Sequence, residues 1–322
     1  VTSPGRACPP RYRYRPGELA AAPLIESESA WVAGGLYGNP EALAAILTLV
    51  EAERAEGKRT ALVFNGDFHW FDAARDDFMG VHRAVLAGHA IAGNVEMELA
   101  DPQPGVGCGC GYPGFVGDAV VERSNRIIER LRAAAESEDV RRSLAALPRV
   151  LRLRIAGTTT GVIHGDPDSV AGWQLGYERV AGTEPALSES QVRTWASDAG
   201  VDAFACTHTC LPWAAAFGNV AVINNGSAGM PNFRGDPRVL VTRVAPAASP
   251  HPDALYFVEH AGVRWEAVAV AYDHNAWRDR FRRTWPPGTP AHLSYYDRIT
   301  RGPDHDLDAA TKLLNPSARR AG

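Results

Sequence analysis

The stretch LVFNGDFHWFD at 62–72 limits what this chain can become more than any other. The apolar residues 61–64 run straight into Asn65, Gly66 and Asp67. A short apolar run that stops at a glycine turn reads as a buried strand ending at a sheet edge. A parallel sheet places its ligands beyond the carboxyl ends of its strands, and Asp67 then stands in that position. A Gly-Asp pair alone is an ordinary turn. Three further polar clusters also end apolar runs: AGNVE at 92–96, VIHGDP at 162–167 and ACTHTC at 205–210. Together they deliver an Asp, an Asn and two His to strand ends, a donor set suited to Zn, Mn or Fe.

The alternation around these runs sets the fold class. AWVAGG is a strand, and Asn39 and Pro40 then cap a helix carrying Leu43, Ile46, Leu47 and Val50 at helical spacing. TALVFNGD, a short helix over 78–86 and HAIAGN follow, so parallel pairing is expected here. A polar helix is predicted from about Asp118 to Ser137 and a capped one over 188–199. VLRLRIAG and TTGVIHGD are adjacent strands. VDAFACTH, VAVINNGSAG, RVLVTRV, ALYFVEH and RWEAVAVAYD add five more, the later ones antiparallel because their connections are short. Between Asp101 and Phe115 lies a Gly- and Pro-rich loop, too long for a mere connector. Residues 1–29 read as a surface arm, 30–273 as the main domain and 274–322 as an extension packed on it.

The bulk numbers exclude several classes. With 322 residues, 45% hydrophobic, the chain can bury one large core. A formal net charge of −4 gives no stripe for nucleic acid, and no apolar run is long enough to span a membrane. Five cysteines, Cys8, Cys108, Cys110, Cys206 and Cys210, are too few and too scattered for a disulfide framework, so the cytoplasm is the expected location. The oligomeric state is left open.

The ordered series GLYGNPEAL, NGDFHWFD, AGNVE, VIHGDP, CTHTCLP and VINNGSAGMPNFRGDPR resembles the calcineurin-like metallophosphoesterase superfamily. Within it the chain looks most like small prokaryotic phosphodiesterases whose first motif reads D-x-H-G-N. The resemblance covers about Trp31 to Asp273. It implies an α/β fold, a four-layer αββα sandwich of two mixed β-sheets flanked by helices. It also implies a divalent metal site made by Asp67, Asn94, His164 and His208. The family's other metal site is degraded, because its positions are Gly35, Tyr37, Asp67 and Cys210, and the family's general acid is replaced by Val95.

One ion is therefore expected, acting on a small phosphorylated substrate through an activated water. Asp67, Asn94 and His208 carry the chemistry in this reading, with His69 as a stand-in acid. Arg234, Asn225 in the NNGSAG turn, and Tyr37 are the expected substrate contacts. Cys210 with Cys108 or Cys110 could rebuild a second, thiolate site; the alternative is that they are small buried hydrophobes. Two other readings stay open: a non-catalytic scaffold on the same fold, and a mononuclear-metal enzyme with altered chemistry.

Overall fold

The computed structural model describes residues 3–182 and 186–313. Its strands are β1 (Leu24–Glu26), β2 (Ser29–Ala33), β3 (Thr60–Phe64), β4 (His89–Ala90), β5 (Leu151–Ile155) and β6 (Thr158–Val162), followed by β7 (Ala203–Cys206), β8 (Trp213–Phe217), β9 (Val220–Asn224), β10 (Val239–Pro246), β11 (Ala254–His260) and β12 (Val263–Val270). They form two six-stranded sheets, ordered β1-β5-β6-β7-β9-β8 and β11-β12-β10-β2-β3-β4. Both sheets are mixed. β2, β3 and β4 run parallel, as do β6, β7 and β9. The hairpins β5–β6, β8–β9 and β11–β12 are antiparallel, as short connections require.

The layers follow from the alternation of side chains along each strand. Ala30, Val32, Ala61 and Val63 point between the sheets and meet Leu153, Val162, Ala205 and Ile223 from the other one. Their neighbours Trp31, Leu62 and Phe64 point outward, onto Ile46 and Val50 of the helix Pro40–Ala55 and Phe78 and Val85 of the helix Arg75–Leu86. On the far side Phe204, Trp213 and Val222 pack against Val192 and Trp195 of the helix Glu189–Ala199. The order is helix, sheet, sheet, helix, the sandwich that the motif series implies. Burial on both faces explains why β7, and β2 and β3 after their first residues Ser29 and Thr60, are continuously apolar rather than alternating. The helix Pro40–Ala55 begins as its sequence dictates, with the Asn39 side chain accepting from the Ala42 N–H at 2.9 Å.

Several segments differ from the sequence reading. The stretch 1–29 is not simply a surface arm: Tyr12 and Leu19 are fully buried, and β1 pairs in parallel with β5 at a sheet edge. β8, in LPWAAAF, is a strand that the sequence reading lacks, and the polar helix Asp118–Ala134 is followed by a second, Glu138–Ala145. The C-terminal part forms the helices His274–Thr284 and Pro290–Arg301, which sink Trp277, Phe281, Trp285 and Ile299 into the outer core. Residues 314–322 of the expected extension, and 1–2 of the arm, lie outside the described residues. No helix among the described residues is long and apolar enough to cross a membrane.

Candidate metal centre

All four expected ligands stand just past the carboxyl ends of parallel strands: Asp67 after β3, Asn94 after β4, His164 after β6 and His208 after β7. β3 and β4 belong to one sheet and β6 and β7 to the other, so the site straddles both. Ligand atoms of Asp67, His164 and His208 lie within 4.8 Å of one another, and all three residues are buried. Asp67 Oδ2 is 3.3 Å from His164 Nε2, which is 3.1 Å from His208 Nδ1.

Backbone carbonyls fix both imidazoles. His164 Nδ1 is 2.8 Å from the carbonyl oxygen of Asn65, and His208 Nε2 is 3.0 Å from that of Cys110. A carbonyl can only accept, so each of these ring nitrogens must carry the proton. The two remaining nitrogens of the neutral rings are then lone pairs aimed at each other and at the Asp67 carboxylate. Such an arrangement calls for a cation between them, either a proton or a metal ion. A far-side N–H anchored on a carbonyl is also how metal-bound histidines are oriented.

Asn94 fits the same scheme. Its Nδ2 donates to the Cys108 carbonyl at 3.0 Å, while its Oδ1 is buried with no hydrogen-bond partner. An unsatisfied buried amide oxygen costs about 1–3 kcal/mol, which coordination would relieve. Close approach of the strand ends depends on Gly66. It has φ +93°, and a Cβ there would stand 2.6 Å from His164 Nδ1 and from the Gly93 nitrogen. Of the five non-glycine residues with positive φ among those described, three (Tyr37, Asp67 and Cys210) belong to this site. Backbone strain concentrated in this way is typical of functional sites.

The charges agree with the geometry. Burial opposes ionisation of Asp67, but His164 and then His208 outweigh it and hold the carboxyl below its ordinary range. Burial also opposes a charged His164, yet the Asp67 carboxylate carries it upward. His208 is pushed down to about 4 by burial and by His164. Without an ion, the Asp67 carboxylate 3.3 Å away favours a proton on His164 Nε2, where the lone pairs meet. A divalent ion is the other cation suited to that position.

The residues expected around the ion divide into those that reach the site and those that do not. Asp67, Asn94 and His208 line a cavity of about 190 Å³ together with Tyr37, Cys110 and Cys210. A larger hollow of about 630 Å³ beside the helix Glu189–Ala199 holds none of the cluster and is a surface feature. The hydroxyl of Tyr37 lies 2.7 Å from Cys210 Sγ, and the Tyr37 ring covers Gly35 so closely that a Cβ there would stand 2.6 Å from it. Cys108 and Cys110 serve through their carbonyls, on Asn94 and His208, and no thiol is in the ligand cluster. Burial pushes the Cys110 and Cys210 thiols up, away from the thiolate form that a rebuilt metal site would need.

Three expected residues are elsewhere. His69 is fully buried, bonded to Asp72 Oδ2 at 2.6 Å and stacked on Phe78 at 3.7 Å, and does not line the cavity. The turn at Asp67, with φ 52°, sends its side chain the other way. Arg234 is exposed and paired with Asp304, away from the cavity. Asn225 is a structural link between sheets, donating to the Val32 carbonyl at 3.3 Å. Sequence reasoning missed two residues. Glu96 accepts from four backbone N–H groups, those of Asp67, Phe68, His69 and Gly93, and so fastens the Asp67 turn to the Asn94 helix. Arg298, from the helix Pro290–Arg301, reaches into the cavity, and Trp70, Tyr112, Trp173 and Tyr295 complete an aromatic wall. A Glu in the first turn of AGNVEMELA was the one signal for Glu96, and nothing flagged Arg298.

No protein-family profile and no curated protein matches the sequence. Solved structures do. A hypothetical protein from Pyrococcus horikoshii OT3 is similar, with a TM-score of 0.56 at 14% identity over 87% of this chain and 100% of that one. A metallophosphoesterase from Sphaerobacter thermophilus gives a TM-score of 0.49 at 19% identity, covering 85% of this chain and 100% of its own. A protein serine/threonine phosphatase from Saccharomyces cerevisiae gives 0.38 at 15% identity over 79% of this chain and 86% of its own. At such identities the likeness is one of fold.

Proposed function

We propose that this chain is a metal-dependent phosphoesterase that hydrolyses a small phosphorylated molecule with one divalent ion held by Asp67, Asn94, His164 and His208. The observation that carries the reading is the pair of carbonyl-anchored imidazoles, whose free nitrogens converge with the Asp67 carboxylate. The unpartnered Oδ1 of Asn94 supports a fourth ligand. When bound, a divalent ion supplies a Lewis acid for a phosphoryl oxygen and lowers the pKa of an attacking water. Tyr37, packed over Gly35, occupies ground where a second ligand set would need room, which supports one ion rather than two.

The chain's own groups shape the rest. A cavity of about 190 Å³ admits a small substrate, and Trp173 and Tyr112, their rings 5.8 Å apart, give its organic part an apolar wall. Tyr37, Tyr112 and Cys210 line the cavity, but burial pushes each upward, so they are poor proton donors to a leaving group. Substrates whose leaving group departs as an anion are therefore favoured. We take residues 30–273 as the catalytic domain and the C-terminal segment as part of its cavity. The five unpaired cysteines support a reducing compartment, the cytoplasm.

The test is a metal analysis of the purified protein read beside hydrolysis of aryl and alkyl phosphates. One equivalent of Zn, Mn or Fe, with aryl phosphates cleaved much faster, is expected. An ion-loaded protein that hydrolyses nothing would leave the scaffold reading in its place.

A further inference from the structure

Arg298 lies in the last turn of the helix Pro290–Arg301, far along the chain from the metal cluster. It nonetheless lines the same cavity as Asp67, Asn94 and His208, and among the described residues it is the one Lys or Arg that does. Arg298 is half-buried with its Nε out of water, and a guanidinium so placed commonly finds a carboxylate, because desolvating its charge is costly. Among the described residues Arg298 forms no ion pair. Its guanidinium makes one hydrogen bond, from Nη2 to the Cys210 carbonyl at 2.7 Å, and its Nε is buried without a partner. The carbonyl is itself rigidly placed: Cys210 is left-handed, with φ 63°, and its N–H bonds the Thr207 carbonyl at 2.8 Å. The fork is thus held still, with donor capacity to spare.

We propose that Arg298 is the oxyanion-binding residue of this site and that the substrate is a phosphate monoester in its dianionic form. The proposal rests on the phosphoesterase reading. A fixed, unpaired guanidinium beside a small cavity is suited to two oxygens of one tetrahedral anion. With a divalent ion and Arg298 both facing the cavity, a monoester dianion finds a cationic partner for each of its charges, whereas a diester monoanion needs only one.

The test uses ion-loaded wild type, Arg298→Ala and Arg298→Lys. Binding of inorganic phosphate is measured by titration calorimetry, with metal content and melting temperature followed for each protein. Hydrolysis of p-nitrophenyl phosphate and of bis(p-nitrophenyl) phosphate is run in parallel. Arg298→Ala is expected to keep its metal and to bind phosphate at least tenfold more weakly. Arg298→Lys should fall in between, since it restores a point charge without the fork, and the monoester should be cleaved faster. Unchanged phosphate affinity in Arg298→Ala, with or without a lower melting temperature, would overturn the assignment and make Arg298 a strut between the helix and Cys210. Faster diester cleavage would overturn the substrate class. If ion-loaded wild type neither binds phosphate nor cleaves any ester, the phosphoesterase reading itself falls, and this one with it.

Discussion

Replacing Glu96 with glutamine removes one charge and almost no volume, yet it should cost a large share of the stability of this fold. Oε2 of Glu96 accepts from the Asp67 N–H at 2.7 Å and the Gly93 N–H at 2.8 Å, and Oε1 accepts from Phe68 at 3.1 Å and His69 at 3.4 Å. The side chain is fully buried, so no water can take its place. An amide has one oxygen, which can serve two of these donors, and its NH₂ group must then face the other two. A buried N–H left unsatisfied costs about 1–3 kcal/mol, and two of them give about 2–6 kcal/mol. The bond to His69 is the longest of the four, which favours the lower half of that range. A domain with a total stability of about 5–15 kcal/mol would feel this strongly. Urea unfolding should be followed at pH 8 in chelator, where the carboxylate is ionised although burial and the Asp67 carboxylate push it up to about 7; glutamine escapes that cost, which offsets part of the loss and places the net effect near the bottom of the range. A loss under about 0.5 kcal/mol would refute the reasoning, since four real acceptor bonds cannot be halved for so little.

Other outcomes follow from the same geometry. Asn94→Ala and His208→Ala should each lose most of the bound ion by elemental analysis, and hydrolysis with it. Cys210→Ala should keep the ion, because no thiol belongs to the ligand cluster; a loss equal to that of His208→Ala would restore the thiolate site. Arg234→Ala should leave hydrolysis of a small ester within about twofold of wild type, because its partner is the surface residue Asp304. His82 is held down at about 4 by burial and by His69, against an ordinary 6.5. Below pH 6.5 the unfolded chain binds a proton that the folded one refuses, so this contribution is complete above pH 6.5 and is lost as pH falls toward 4, by about 2 kcal/mol after allowing for screening. In chelator, urea midpoints of His82→Gln should fall less steeply across that window than those of wild type.

The convergence of Asp67, His164 and His208 was readable because each follows a short apolar run and a turn, a pattern set by local chain geometry. The layers were implied by the motif series and by the alternation of strands and helices, and burial on two faces accounts for the apolar runs of β2, β3 and β7. β8 escaped notice because WAAAF is mostly alanine, which has little strand preference of its own. His69, expected as a stand-in acid, does not reach the cavity because residues two apart share a face in a strand and Asp67 is instead a left-handed turn. Arg234 and Arg298 are both arginines near turns or helix ends, and only packing decides which of them meets the cavity. Glu96 reads locally as a carboxylate favoured near a helix start, whereas it serves a turn nearly thirty residues earlier in the chain.

The division of the ligands between two sheets also has a kinetic consequence. Asp67 and Asn94 arrive with one sheet, and His164 and His208 with the other, so no early fragment of the structure can present the whole set. Pairings this remote in sequence close late in folding. An ion that requires all four residues would bind after the rate-limiting step. Loading it should then slow unfolding and leave the refolding rate as it was, so that occupancy appears as persistence of the native state rather than as speed in reaching it.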